Sequence, residues 1–135
     1  MPYKILEHTA DLRMKITGKT PKDLFAEALR GMMSFLKKSP GVSNRRVKRP
    51  VNVSAFEITA LLVDFLSEAL SLSQINKEIY DKVVFEKFSD NSLKAELVGL
   101  PVKDFDQEIK AVTYHEAEIK KTGKGEWSAN LIFDI

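Results

Sequence analysis

Asp11, Asp134 and the carboxylate that ends the chain at Ile135 are residues whose types could do chemistry together. Hard cations are held by carboxylates, carbonyls and waters, and the ligands need no fixed spacing in sequence. Leu131, Ile132 and Phe133 read as a strand, so Asp134 and the terminal carboxylate are held in place rather than trailing as a loose end. Spacing leaves a second reading open, with Asp11 a turn residue between two strands and Asp134 a soluble strand end. His8, three residues before Asp11, is placed either to orient a carboxylate or to clamp the chain. Lys110 lies on a strand read as central. Its charge pairs with a carboxylate, faces a phosphate, or snorkels to water. His115 shares a side of that strand with Ile109, Ala111, Thr113 and Ala117, where a satisfied, half-buried histidine is the plain alternative.

Other chemistries are poorly served. The chain has 2 histidines and no cysteine, which excludes disulfides and thiolate chemistry and disfavours zinc. No phosphate-binding glycine loop, dinucleotide fingerprint, strained-serine turn or H-E-x-x-H pair is present. The run Arg45-Arg46-Val47-Lys48-Arg49 is the one local concentration of charge. It suits RNA phosphates or an acidic partner, or blunts an edge strand. The formal net charge of +2 is too small to argue for nucleic acid or membrane as a bulk effect. With 135 residues, 44% of them hydrophobic, a single domain over 1–135 is expected. No apolar leader opens the chain, and the apolar stretch around residues 58–72 is interrupted by Thr59, Asp64, Ser67, Glu68 and Ser71. A soluble, cytoplasmic protein with no membrane association is the expectation.

The elements that must position these residues are legible as periodicities. A short strand is predicted over Lys4 to His8. Leu12 to Thr17 alternates apolar and polar residues as a half-buried strand does. Thr20-Pro21-Lys22-Asp23 is a helix start, and Leu24, Phe25, Ala28, Leu29, Met32, Met33 and Leu36 form its apolar stripe. Val47, Val51 and Val53 mark a third strand. Ser54-Ala55-Phe56-Glu57 matches a capping box, predicting a second helix from about Ala55 to Ser73. Val83 to Phe88 and Leu93 to Val98 form a hairpin around Asp90-Asn91. A loop over Gly99 to Gln107 then precedes a long strand over Ile109 to Lys120, a turn at Thr122 to Gly125, and the final strand. An α+β domain is predicted, with a largely antiparallel sheet of about seven strands and two amphipathic helices packed on one face.

Three segments in order make the chain resemble the archease family: Glu7-His8-Thr9-Ala10-Asp11-Leu12, Glu108-Ile109-Lys110-Ala111-Val112-Thr113-Tyr114-His115, and the terminal Asp134-Ile135. Gly18-Lys19-Thr20, Phe25-Ala26-Glu27-Ala28 and Leu61 to Glu68 fit as well, so the resemblance spans the chain. It departs from the family at Arg13, where Gly is frequent, and at Val98-Gly99-Leu100, where W-G-E is common. The resemblance implies an accessory protein and not a free-standing enzyme. It implies a partner, the RtcB-type RNA ligase of tRNA splicing and RNA repair, whose metal- and GTP-dependent guanylylation and multiple turnover it promotes. RNA is then met indirectly, through the ligase. It further implies a metal site of Asp11, Asp134 and a main-chain or terminal oxygen of Ile135, with Lys110 close by and His8 and His115 supporting or facing the partner. Oxygen ligands favour calcium, manganese or magnesium as the divalent cation. Two other readings stand beside this one. They are a metal-dependent phosphohydrolase built on the Asp pair, and an RNA-binding or chaperone-like module built on the basic run.

Overall fold

In a computed structural model of the chain, residues 11–38 and 45–135 are described. The expected strand over Lys4 to His8 lies outside them. The described residues form two three-stranded sheets, in place of the single sheet of about seven strands that the sequence predicts. The first holds β1 (Asp11–Gly18), β6 (Trp127–Asp134) and β5 (Ala111–Lys121), in that order. The second holds β2 (Val47–Ser54), β4 (Ser92–Pro101) and β3 (Glu78–Phe88), in that order. Every described pairing is antiparallel. The split into two sheets comes from long-range pairing: each hairpin of the second half, β3–β4 and β5–β6, recruits one strand from the first half along its free edge.

The helices α1 (Pro21–Leu36) and α2 (Ile58–Asn76) each touch strands of both sheets. The α1 start is as predicted, with the Thr20 hydroxyl accepting from the Asp23 N–H at 3.1 Å. The α2 start is not. Ser54 is the last residue of β2 and pairs with Ser92, so the strand ladder claims it. Glu57 caps instead, its carboxylate accepting from Thr59 N–H at 2.9 Å and Ala60 N–H at 2.6 Å. A carboxylate there also complements the positive end of the helix dipole. The helix runs three residues past Ser73 because Lys77 takes a left-handed conformation, φ 53°, that closes it. By length and composition α2 could cross a membrane, contrary to the sequence expectation. Its apolar content is used in the core, where Leu61, Leu62, Phe65, Leu66 and Ala69 are fully buried. Each such large side chain contributes roughly 2 kcal/mol. Phe25 of α1, Phe65 of α2, and Phe85 and Phe88 of β3 meet ring to ring, with centroids 5.0 to 6.2 Å apart.

The predicted loop from Gly99 is strand as far as Pro101. A Cβ on Gly99 would lie 1.9 Å from the Ile79 carbonyl oxygen, so β3 and β4 approach this closely only at glycine. The connection from β4 to β5, residues 102–110, is pinned to both helix ends. Val102 N–H donates to the Lys77 carbonyl at 2.9 Å, and Asp106 N–H to that of Leu36 at 2.8 Å. Lys38 N–H and the Lys37 ammonium bond the Asp106 carboxylate, and the Lys38 bond is the chief reason that carboxyl is held below its ordinary range. The Gln74 amide donates to the Ile109 carbonyl at 2.9 Å. These tethers deliver Ile109, fully buried, and Lys110 to the start of β5.

Candidate metal centre

Among the described residues β6 is the central strand of its sheet, and β5, read from sequence as central, is an edge. Asp134 therefore has a neighbour on each side. Asp11 is its register partner on β1, and Ala111 its partner on β5. Leu12, Phe133 and Val112 form the next row and pack into the core, so by alternation Asp11 and Asp134 share the opposite face. Directly opposed like charges on an antiparallel pair destabilise it. Among the described residues neither carboxylate is offset by an ion pair or a side-chain hydrogen bond. Ile135, next to Asp134 in the chain, is half-buried and packs against the core.

Among the described residues no group of three or more His, Cys, Asp or Glu side chains could hold a metal. Side chains thus offer two carboxylates at this sheet end. An all-oxygen, net anionic donor set fits a hard divalent cation. Lys110 is tied to the same place through its backbone, its N–H donating to the Asp134 carbonyl at 2.6 Å. Lys110 also lines a cleft with Ser67, Ser71 and Gln74 of α2.

His8 lies outside the described residues. His115 is not half-buried: its side chain is 75% exposed and comes only within 4.0 Å of Glu116. Strand alternation fails there because four residues of β5, Tyr114 to Ala117, stand opposite the single residue Leu131 of β6. Glu116 adopts a left-handed φ of 54° in that bulge. Three bonds hold the bulge. Thr113 donates to the Ile132 carbonyl at 2.9 Å, the Tyr114 hydroxyl donates to Asp64, and Arg13 donates to Glu116 at 2.9 Å. The Asp64 bond, above all, raises the Tyr114 hydroxyl from its ordinary range. Arg13, where the family frequently has Gly, thus serves to tie β1 to the bulge.

The basic run is engaged by carboxylates. Arg46 bonds Asp81 at 2.9 Å and Lys48 lies 3.9 Å from Glu96. Arg49 makes a two-pronged bond to Glu78, at 2.8 and 2.7 Å. Glu78 is buried, also accepts from the Tyr80 hydroxyl at 2.7 Å, and is attracted by Arg45. The Arg49 bond holds the Glu78 carboxyl below its ordinary range, and burial pushes the Tyr80 hydroxyl up. Sequence reasoning missed this network, since Glu78 falls between the predicted end of α2 and the next predicted strand.

The profile of the Archease protein family (MTH1598/TM1083) matches residues 3–135. Protein archease of Methanosarcina mazei is 34% identical, over 98% of this chain and 95% of that one. Protein archease of Thermococcus kodakarensis is 32% identical, over 96% and 95%. Two solved structures share the fold. One is an archease of Thermotoga maritima described as a possible chaperone (TM-score 0.71, 18% identity, 100% and 98% covered). The other is protein 1598 of Methanobacterium thermoautotrophicum (TM-score 0.70, 24% identity, 96% of each chain). With whole-chain agreement in sequence and fold, this chain belongs to the archease family.

Proposed function

We propose that this chain is a cytoplasmic accessory protein that activates an RtcB-type RNA ligase in tRNA splicing and RNA repair. In this reading Asp11, Asp134 and an oxygen of Ile135 hold a divalent cation, of the calcium, manganese or magnesium class. The observation that carries the proposal is the register pairing of Asp11 with Asp134 at the end of a central strand. Such a like-charge pair, with no offsetting cation among the described residues, is a stability cost that a bound divalent ion removes. When bound, that ion supplies neutralising charge for the phosphoryl group transferred during ligase guanylylation. The chain's own part is to hold the carboxylates in register, with β6 fixed between two neighbours. His8 supports the site, while Lys110 and the exposed Tyr114-His115 bulge face the ligase. Membership of the archease family along the whole chain supports an accessory over a hydrolytic role.

The test is guanylylation and multiple-turnover ligation by the cognate ligase with this protein limiting. Asp11→Ala, Asp134→Ala and deletion of Asp134 and Ile135 should each lose activation while keeping the wild-type circular dichroism spectrum. Full activation by all three would overturn the reading.

A further inference from the structure

Between α2 and the start of β5 lies a cleft of about 290 Å³, with Leu70 and Val112 as its floor and Ser67, Ser71, Gln74 and Lys110 around it. Four larger clefts on the molecule each carry at least one carboxylate, and this one carries none. Lys110 is its single charged residue and makes no ion pair among the described residues. Ser67 and Ser71 lie one helical turn apart on the same face of α2. Serines in helices commonly spend their hydroxyl on a nearby carbonyl. Ser34 does so, donating to the Gly31 carbonyl at 2.9 Å, and Ser73 donates to that of Glu78. The hydroxyls of Ser67 and Ser71 have no such partner among the described residues. Gln74, which lines the cleft, is braced by its bond to the Ile109 carbonyl at 2.9 Å. The result is an open cleft whose lining carries two hydroxyls and one ammonium with no bonded partner among the described residues, and no carboxylate. Its volume is at the small end of ligand sites, suited to a compact group.

We propose that this cleft is a phosphoryl-binding site, in which Lys110 supplies the charge and Ser67 and Ser71 donate hydrogen bonds to the phosphate oxygens. It rests on and deepens the ligase-activator reading by giving Lys110 a ligand beside the sheet end that carries Asp11 and Asp134. The test needs no ligase, so the two readings fail separately. Amide chemical shifts of the full chain are followed while inorganic phosphate, or adenosine 5′-monophosphate, is added against chloride at matched ionic strength. Saturable shifts centred on Ser67, Ser71 and Lys110 to Val112 are expected with phosphate and absent with chloride. The Ser67→Ala/Ser71→Ala double variant should bind about tenfold more weakly, and Lys110→Met should abolish binding, both with otherwise unchanged spectra. Tighter binding of the monophosphate upholds the site for a nucleotide-borne group, and equal binding upholds it for free phosphate. Absence of saturable shifts, shifts centred elsewhere, or unchanged affinity in the double variant would overturn the proposal.

Discussion

Asp11 and Asp134 face each other across a strand pair with no cation of the described residues bonded to either, and that makes a prediction with two opposite signs. In chelator, Asp11→Asn removes a like-charge repulsion and should stabilise the fold by about 0.5 kcal/mol. In a saturating divalent cation the wild type should gain melting temperature by linkage, and the variant should gain much less. Thermal melts with EDTA and with calcium, manganese or magnesium measure both. A variant that responds to the cation as the wild type does would remove Asp11 from the site. Lys110 shows how far sequence reasoning reaches for single residues. Its neighbourhood to Asp134 is legible, because both belong to segments of one family pattern. Its place in a cleft with α2 is not, because that depends on where α2 packs.

The strands and helices are mostly visible as periodicities, and the misplacements have one cause: pairing overrides local signals. Ser54 has the chemistry of a helix cap but is held by its pairing with Ser92. Gly99 resembles the start of a loop but sits inside β4, where the Ile79 carbonyl leaves no room for a Cβ. Gly99→Ala should therefore cost about 3 kcal/mol in chemical denaturation, since backbone on both strands must move. The β5 bulge is the third case. A period-2 reading carried straight through Tyr114 to Ala117 buries His115, whereas the inserted residues turn it outward, and nothing in the local residue pattern announces a four-against-one mismatch.

Glu78 joins parts of the whole domain that are distant in sequence. Its carboxylate takes Arg49 from β2 and Tyr80 from β3, and its carbonyl takes Ser73 from the end of α2. Because the folded protein holds this carboxyl below its ordinary 4.5, its contribution is fully present above that pH. It is lost as pH falls through the lower folded value. Denaturant midpoints measured from pH 7 to pH 3 should drop at the acid end in the wild type. Glu78→Gln should be less stable at pH 7, and the gap should narrow toward pH 3. An equal gap at all pH values would mean that the carboxylate's charge does not matter. The chain's residues alone set its class as α+β, the helix stripes, the hairpins, and the family to which it belongs. These follow from local propensity, 2.0 and 3.6 periodicity, and ordered motifs, all of which are written in neighbouring residues. Long-range pairing decided the rest: the split into two sheets, the central place of the last strand, the direct opposition of Asp11 and Asp134, the engagement of the basic run, and the cleft beneath α2. Each of these depends on which residues far apart in the chain end up side by side, and that is fixed by the packing of the shared core.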